Sequence, residues 1–222
     1  MPSMQGLRNV ALAAAALALA LIATGMVRTV LADKPAAVPA VQSPSGKSEV
    51  ATFAAGCFWC VEADFAMVPG VLSTTTGYIG GSLRNPTYDL VARGLSGHVE
   101  AVQIVFDPAA INYETLLMWY WRNVDPVDGR GQFCDRGIGY RPVIFAHSPE
   151  QRRLAEDSKE KLDKSGIFDG PIAVKIEDAK EFTPAEAEHQ KYAKRNPWRY
   201  RFYRHGCGRD QRLRQIWSRA RS

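Results

Sequence analysis

The sequence predicts an α+β domain, built as a two-layer sandwich in which helices pack on one mixed β-sheet. Two observations support this prediction. Short apolar strands alternate with helices without an internal repeat, and 46% of the residues are apolar, 23% charged and 10% aromatic, as in ordinary globular proteins. The part that follows residue 47 is long enough to bury one core. With only four cysteines, the composition excludes a cystine knot, and it also excludes collagen, disorder and a polytopic membrane protein.

The first 32 residues have the pattern of an export signal. Arg8 precedes an unbroken apolar run over residues 10–23, which has the length of a signal-peptide core and is short for a membrane span. Small residues at Val30 and Ala32 suit a signal peptidase, so we expect cleavage before Asp33. The alternative is an uncleaved anchor. In both cases the domain is predicted to lie outside the cytoplasm, either free in the periplasm or anchored to the membrane on its periplasmic side.

A flexible linker is predicted over residues 33–47, which are rich in Pro, Ala and Ser and have no periodicity. The remaining residues, 48–222, are predicted to form a single domain with a basic C-terminal segment. Residues 191–222 contain eleven Lys and Arg and one acid, Asp210. Such a segment can bind nucleic acid. Aromatic and aliphatic residues are interleaved with these charges, however, so we expect the segment to pack on the domain and no nucleic acid to bind.

The predicted elements follow from periodicity and from the residues that end helices and strands. Strands are expected where short apolar or Thr-rich runs meet glycine turns, over 49–53, 71–78, 98–106, 141–146 and 172–176. Helices are expected where apolar residues recur at helical spacing, from Cys57 onward and over 87–93, 112–122, 149–164 and 185–194. This order of elements predicts a ferredoxin-like core that is followed by a long irregular C-terminal segment.

Two cysteines, Cys57 and Cys60, lie where a strand and a glycine turn lead into a helix. A thiolate at the first turn of a helix is stabilised by the helix dipole and by free amides, so the pKa of Cys57 is expected to fall. Cys60 is one turn further along the same face, within reach of a disulfide. The pair is therefore a redox dithiol, a structural disulfide or two buried thiols. Zinc needs four convergent ligands, and Cys134 and Cys207 are isolated in sequence, so we expect no metal.

Glu100 is a candidate general acid. Strand alternation places it on the same face as Val102, Ile104 and Phe106, and burial among apolar side chains raises the pKa of a carboxyl. The alternative is a glutamate at a strand end that reaches solvent. A nearby loop contains four glycines over residues 129–139, which permit close approach of the backbone to a ligand.

Six segments occur in the same order as in a known family and cover nearly all of residues 48–217. They are GCFWC at 56–60, GYIGG at 77–81, NPTYDLV at 85–91, GHVEAV at 97–102, FCDRGIGYR at 133–141 and PAEAEHQKY at 184–192. Together they resemble the A-type peptide methionine sulfoxide reductases. The chain departs from the family pattern at Gly139, where Gln is usual, and at Cys60, where Gly is frequent. The first departure leaves the shape of the loop open.

The resemblance implies that residues 48–222 form one catalytic reductase domain. Cys57 would attack the sulfoxide sulfur, releasing methionine and leaving a sulfenic acid. Glu100 would protonate the sulfoxide oxygen, and Tyr88 and Tyr140 would hydrogen-bond that oxygen.

The resemblance also assigns the substrate pocket. Phe58 and Trp59 would enclose the ε-methyl group, and Asp135 would hold the polar side of the substrate or fix the loop. The implied substrate is the S epimer, in proteins and as free methionine sulfoxide, with electrons from a thioredoxin-type dithiol and with no metal or organic cofactor. We expect a monomer that contacts a membrane only if its N-terminal segment stays uncleaved.

A second thiol must condense with the sulfenic acid of Cys57. Cys60 is the first candidate because it is one helical turn away. Cys207 is the second, since flanking glycines would let the C-terminal segment swing to the site. Cys134 is the least favoured, because its loop has no obvious freedom to move.

Two other functions remain open from the sequence. The first is a thioredoxin-like thiol–disulfide oxidoreductase, which would not need Glu100. The second is a non-catalytic binding module that its basic C-terminal segment holds outside the cytoplasm, and it would have an inert Cys57.

Overall fold

The computed structural model describes residues 46–218, so the predicted signal peptide and almost all of the predicted linker lie outside the described residues. The strands are β1 (Glu49–Ala54), β2 (Val71–Ile79), β3 (Val99–Phe106), β4 (Gly131–Gln132), β5 (Asp135–Arg136), β6 (Val143–Ala146), β7 (Lys175–Asp178) and β8 (Thr183–Pro184). The helices are α1 (Phe58–Phe65), α2 (Tyr88–Ala92), α3 (Tyr113–Arg122), α4 (Pro149–Lys164), α5 (Tyr192–Arg195), α6 (Pro197–Gly206) and α7 (Arg209–Ser218), with a 3₁₀ turn at Ile138–Tyr140.

Six strands form one mixed sheet in the order β7-β6-β1-β3-β2-β8, and β4 pairs with β5 in a separate hairpin. In the main sheet β1 is antiparallel to β3 and β6, β2 is antiparallel to β3 and β8, and only the β6–β7 pair is parallel. The predicted α+β class, with helices on a mixed sheet, is therefore confirmed.

The core lies between the sheet and the helices. Phe53 of β1 is fully buried, and its ring centroid lies 5.3 Å from that of Phe65 in α1 and 5.1 Å from that of Tyr120 in α3. Removing such a ring costs about 3–5 kcal/mol, because a cavity remains. This packing fixes the start of α1, and with it Cys57, relative to the central strands.

Two helices begin where the sequence predicts, and their capping residues explain why. The Asn112 side chain accepts a hydrogen bond from Thr115 N at the start of α3, and Ser148 accepts one from Gln151 N at the start of α4. Pro149 occupies the first turn of α4, where its missing N–H costs nothing. The strand predicted over 172–176 lies a few residues later, at β7, because Ile172 and Val174 are buried in the core before the strand begins.

The helix predicted over 185–194 is wrong except for its last turn, α5. Polar side chains of this segment bind the edge of β2 and hold the backbone in turns. Gln190 accepts a hydrogen bond from Thr76 N at 3.1 Å and donates one to Thr76 O at 2.9 Å, and Lys191 adopts a left-handed φ of 54°. The segment therefore takes the place of a neighbouring strand along part of β2.

The C-terminal segment is less irregular than predicted, because α6 and α7 follow α5. The prediction that it packs on the domain is confirmed for α7, whose Leu213, Ile216 and Trp217 are buried. These three residues have helical spacing in the sequence, but the many charged residues between and around them made a helix hard to predict. Within residues 46–218 no helix combines the length and apolarity that crossing a membrane requires.

Candidate active site

Cys57 lies at the junction between β1 and α1. Gly56 precedes it with a φ of +81°, and a Cβ at this glycine would lie 2.6 Å from Gln132 Cβ, so only glycine fits the turn. Cys57 occupies the N-cap position of α1 and is 5% exposed. Cys60 lies one turn further on and is also buried. Both thiols are free.

Glu100 lies on β3 beside the start of α1, and its predicted burial is confirmed. Its Oε2 accepts a hydrogen bond from Phe58 N at 2.9 Å, and its Oε1 has no hydrogen-bond partner among the described residues. Burial raises the pKa of the Glu100 carboxyl to about 8, although the Phe58 amide opposes this shift. The carboxyl is therefore mostly protonated at pH 7, which a proton donor requires.

The pKa of Cys57 is shifted in the opposite direction to the prediction. Burial raises the pKa of the Cys57 thiol, with smaller contributions from Cys60 and Glu100. Phe58 N, an amide at the start of α1, donates its hydrogen bond to Glu100 and not to the thiol. Burial therefore outweighs the helix N-terminus, which does not lower the pKa of Cys57 in this state.

Cys60 is the more acidic thiol of the pair. A hydrogen bond from the Cys57 thiol lowers the pKa of Cys60 first, and the positive charges of Arg209 and Arg204 lower it further. Both arginines also reach Asp64, which is four residues after Cys60 on α1, with N–O distances of 2.7 Å for Arg204 and 3.6 Å for Arg209. Two guanidinium groups from the C-terminal segment therefore face the part of α1 that carries Cys60.

Arg209 is a buried cation, only 1% exposed. Its Nη1 donates to Ala55 O at 3.0 Å and its Nη2 donates to Asn123 O at 2.6 Å. Its guanidinium also lies 4.6 Å from the centre of the Phe133 ring. These contacts hold the start of α7 against the turn that precedes Cys57.

Aromatic side chains form one wall of the site. Phe58 is fully buried, and Trp59 stacks on Tyr192 with ring centroids 3.8 Å apart. His189 stacks on Tyr88 at 4.3 Å and accepts a hydrogen bond from Trp59 Nε1 at 3.2 Å. The predicted aromatic residues Phe58, Trp59 and Tyr88 are thus brought together, and the sequence analysis missed His189 and Tyr192.

Tyr88 and Tyr140 lie close enough together for their hydroxyl groups to interact. Burial raises the pKa of Tyr88 to about 12 and raises the pKa of Tyr140, with the nearby Glu100 adding to both shifts. Gly139 precedes Tyr140, and a Cβ there would lie 2.4 Å from Val91 O. The glycine that departs from the family pattern thus lets the loop pack directly on α2.

Hydrogen bonds to the Glu186 carboxylate hold the aromatic wall in place. Glu186 accepts a hydrogen bond from the Tyr78 hydroxyl at 2.6 Å and another from Tyr88 N at 3.0 Å. Tyr78 is the partner of Glu100 in the β2–β3 ladder. Glu186 therefore connects the strand that faces the acid with the helix that carries Tyr88.

Tyr203 of α6 completes the site, and the sequence analysis missed it. Its hydroxyl donates to Asp135 Oδ2 at 2.6 Å and lies within hydrogen-bonding reach of the Cys57 thiol. Asp135, a predicted site residue, is thus placed beside Cys57. The only signal for Tyr203 in the sequence was an aromatic residue in a basic segment, which does not identify its partner.

Cys134 and Cys207 form a disulfide with a Cα–Cα distance of 4.9 Å. The expectation that these two cysteines are isolated is therefore wrong, since the 73 residues between them hid their proximity. Among residues 46–218, the side chains close enough to share a metal ion are Cys134, Asp135 and Cys207. Two of these three atoms are joined in the disulfide and offer no thiolate.

The site combines the Glu100 carboxyl with the buried Cys57 thiol, and three further cysteines lie on the same helix and in the adjoining segments. This combination is typical of a cysteine-dependent oxidoreductase, here with an α+β fold. The family model described as peptide methionine sulfoxide reductase matches residues 49–221, and the chain belongs to this family. The activity of the protein is therefore the reduction of methionine sulfoxide. The thioredoxin-like and non-catalytic alternatives are thereby set aside.

Several curated relatives match nearly over their whole length. Peptide methionine sulfoxide reductase MsrA of Bacillus licheniformis is 53% identical over 173 residues, which is 78% of this chain and 96% of the relative. MsrA 2 of Caulobacter vibrioides is 50% identical over 187 residues, 84% of this chain and 93% of the relative.

Solved structures agree with this result. Reduced Mxr1 of Saccharomyces cerevisiae matches with a TM-score of 0.65 and 29% identity, over 71% of this chain and 90% of that one. Methionine sulfoxide reductase A of Corynebacterium diphtheriae matches with a TM-score of 0.61 and 30% identity, over 72% of this chain and 83% of that one.

Proposed function

We propose that the protein reduces the S epimer of methionine sulfoxide, free and in proteins, with Cys57 as the nucleophile and Glu100 as the general acid. The observation that carries this assignment is the protonated Glu100 carboxyl at the start of the helix that bears Cys57. Its Oε1 is buried and has no protein partner among the described residues, so it can hydrogen-bond a substrate oxygen that enters the site.

The reaction needs a proton because an oxide is a poor leaving group. The Cys57 sulfur attacks the sulfoxide sulfur while Glu100 donates its proton to the sulfoxide oxygen, and the proton that the Cys57 thiol loses returns to the Glu100 carboxylate, so that no net proton is consumed. The oxygen passes to Cys57, so that methionine leaves and Cys57 becomes a sulfenic acid. Tyr88 and Tyr140 keep their protons at neutral pH, because the pKa of each hydroxyl is raised, and both can donate hydrogen bonds to the oxygen.

The aromatic wall selects the substrate. Phe58 and Trp59, whose ring centroids lie 6.4 Å apart, supply the apolar surroundings for the ε-methyl group, which suits a thioether and excludes water from the reacting sulfur. Asp135 accepts a hydrogen bond from the Tyr203 hydroxyl, so it fixes the loop as well as facing the polar side of the substrate.

Cys60 is the first resolving thiol in this proposal. It is one helical turn from Cys57, buried with it, and the more acidic of the two. Its attack on the sulfenic sulfur forms the Cys57–Cys60 disulfide and releases water. A thioredoxin-type dithiol then supplies the electrons, and no organic cofactor or metal takes part.

Substitution of the nucleophile and the acid tests this assignment. Cys57→Ser should lower methionine release to less than about a thousandth of wild type, because a neutral alcohol is a weak nucleophile. Glu100→Gln should lower single-turnover release by ~10²–10⁴. Glu62→Gln is the matched control, since Glu62 is a second buried glutamate with a raised pKa that binds Thr74 and Lys191 instead of the site. An effect below fivefold for Glu100→Gln would make Glu100 a structural residue.

Three further parts of the proposal concern the whole chain. The antiparallel order β6-β1-β3-β2, with α1 and α3 in the connections, supports a ferredoxin-like core. The charged N-terminus and apolar run of residues 1–32 support export, with a linker over 33–47. We also propose a monomer. Cell fractionation with N-terminal sequencing tests export and cleavage, and light scattering tests the monomer.

A further inference from the structure

We propose that the outer face of α6 binds the surface of an anionic lipid bilayer, with Trp198 and Phe202 entering the interface and arginine side chains binding the lipid phosphates. The partner is a bilayer that contains an acidic phospholipid such as phosphatidylglycerol. This inference goes beyond the proposed function and does not depend on it. The sequence analysis expected membrane contact only through an uncleaved N-terminal segment, whereas this contact is made by the described domain.

Two large aromatic side chains of α6 are exposed to solvent. Trp198 is 80% exposed and Phe202 is 83% exposed. They are four residues apart in the helix, so they lie one turn apart on the same face. Single exposed apolar residues are common on protein surfaces, but neighbouring large ones mark a surface that meets a partner. The outer face of α6 is therefore a candidate interaction surface.

The inner face of α6 packs on the domain and leaves this aromatic pair pointing outward. The Tyr203 hydroxyl donates a hydrogen bond to Asp135 at 2.6 Å, and the Tyr203 ring lies edge-on to Trp59 with centroids 5.8 Å apart. Arg204 donates to Asp64 at 2.7 Å. These contacts fix the helix on the domain, so that a partner meets its outer face without any rearrangement of the fold.

Positive charge surrounds the two rings. Residues 191–208 contain six Lys and Arg and no acid. At about 100° per residue, Arg201 lies beside Trp198 on the helix surface, and Arg199 lies beside Phe202. The Arg201 guanidinium is 5.7 Å from the centre of the Trp198 ring. Both arginines are exposed, and neither belongs to an ion pair within residues 46–218, so both can bind an anion from outside the protein.

A bilayer surface fits this combination of groups. Guanidinium groups form paired hydrogen bonds to phosphate, and tryptophan is enriched at the boundary between headgroups and acyl chains. A helix with aromatic residues and arginines on its outer side is typical of binding in the plane of that boundary. A protein partner would need a separate pocket for each protruding ring, whereas lipid chains adapt to both. The predicted export also brings the domain next to a bilayer.

This contact would hold the active site close to the lipid headgroups. Tyr203 follows Phe202 in α6, and its hydroxyl lies within hydrogen-bonding reach of the Cys57 thiol on the inner side of the helix. A helix with its side chains is about 10–12 Å thick, so Cys57 would lie roughly that far from the bilayer surface. Methionine sulfoxide in the exposed parts of membrane proteins would then be within reach of the enzyme.

Fluorescence quenching by brominated lipid tests the proposal on the full chain. The apolar run over residues 10–23 can itself insert into lipid, so the measurement must be specific to α6. The chain has five tryptophans, and subtracting the emission of Trp198→Phe under the same conditions isolates that of Trp198. With vesicles of brominated phosphatidylcholine and phosphatidylglycerol, we expect the Trp198 emission to fall about twofold. With brominated phosphatidylcholine alone it should not change.

Matched variants separate the charges from the rings. Arg199→Gln/Arg201→Gln should raise the lipid concentration for half-maximal quenching about 25-fold, because each cation near an anionic surface contributes about fivefold. Phe202→Ser should also raise it. Trp119 is exposed on α3 and is the control, since subtracting Trp119→Phe should reveal no quenching that depends on phosphatidylglycerol. Each variant should reduce free methionine sulfoxide at the wild-type rate, which shows that the fold is intact.

Three results would overturn the proposal. The first is a Trp198 emission that phosphatidylglycerol vesicles do not change, or that both kinds of vesicle change equally. The second is an arginine double variant that binds as tightly as wild type. The third is a Trp198 emission that responds to a polyglutamate peptide and not to vesicles, which would make the outer face of α6 a docking site for an acidic protein.

Discussion

The role of Glu100 leads to a pH dependence that can be isolated by one substitution. With a pKa of about 8, the carboxyl is about nine-tenths protonated at pH 7 and about one-tenth protonated at pH 9. Glu100→Gln has no proton to lose and no acid to offer at either pH. The ratio of the wild-type rate to the variant rate should therefore fall about tenfold between pH 7 and pH 9. The ratio is the useful quantity because burial, the largest cause of the raised pKa of Cys57, acts in both proteins.

Single-turnover release of methionine, measured by rapid quench at closely spaced pH values, gives this ratio without interference from resolution or from the donor. Below pH 7 the ratio should be nearly constant at ~10²–10⁴, and between pH 8 and pH 9 it should fall about fivefold, because the protonated fraction falls from about one half to about one-tenth. Glu62→Gln should run parallel to wild type over the same range. A constant ratio between wild type and Glu100→Gln from pH 7 to pH 9 would refute the assignment of Glu100 as the proton donor.

Three more predictions follow from the site. The raised pKa means that the native state binds the Glu100 proton more tightly, so the contribution of this carboxyl to stability is fully present below pH 4.5 and is lost as the pH rises through about 8. Urea unfolding should therefore show wild type losing up to about 4 kcal/mol relative to Glu100→Gln between pH 5 and pH 8. Arg209→Gln should shift alkylation of Cys60 by iodoacetamide to higher pH, and an unchanged midpoint would contradict the electrostatic role of this cation. Gly139→Ala should destabilise the protein by about 1–3 kcal/mol in thermal melts, since its Cβ would clash with Val91 O. Gly170→Ala is the control and should cost less, because its Cβ would meet no atom within 4 Å.

Local signals determined how much of the fold was predictable. Asn112 and Ser148 cap their own helices, so the starts of α3 and α4 could be predicted from neighbouring residues. The prediction of a helix over 185–194 failed because the contacts that decide its conformation are distant in sequence. Its apolar residues have helical spacing, but its Gln190 side chain binds a strand more than 100 residues away. Contacts at such separation leave no periodic trace in a single sequence.

The same distinction applies to the site. Strand alternation made Glu100 a candidate, and a glycine turn before a helix made Cys57 one, but their roles followed only from the resemblance of six segments to a family. The direction in which the pKa of Cys57 shifts could not be predicted, since it depends on how deeply the thiol is buried and on which groups bind the amides at the start of α1. The disulfide between Cys134 and Cys207 and the contact of Tyr203 with Asp135 depend on how α6 docks.

The docking of α6 and α7 also sets when the protein acquires its chemistry during synthesis. A growing chain that has reached residue 191 contains every strand of the main sheet, together with Cys57 and Glu100. It still lacks Tyr203, the Cys207 sulfur and the buried cation of Arg209. Domains begin to fold while their N-terminal parts emerge, so the sheet can form first. Cys57 is then covered, and Cys60 made more acidic, only when the last helices are in place. The protein therefore becomes catalytically competent only after folding is complete.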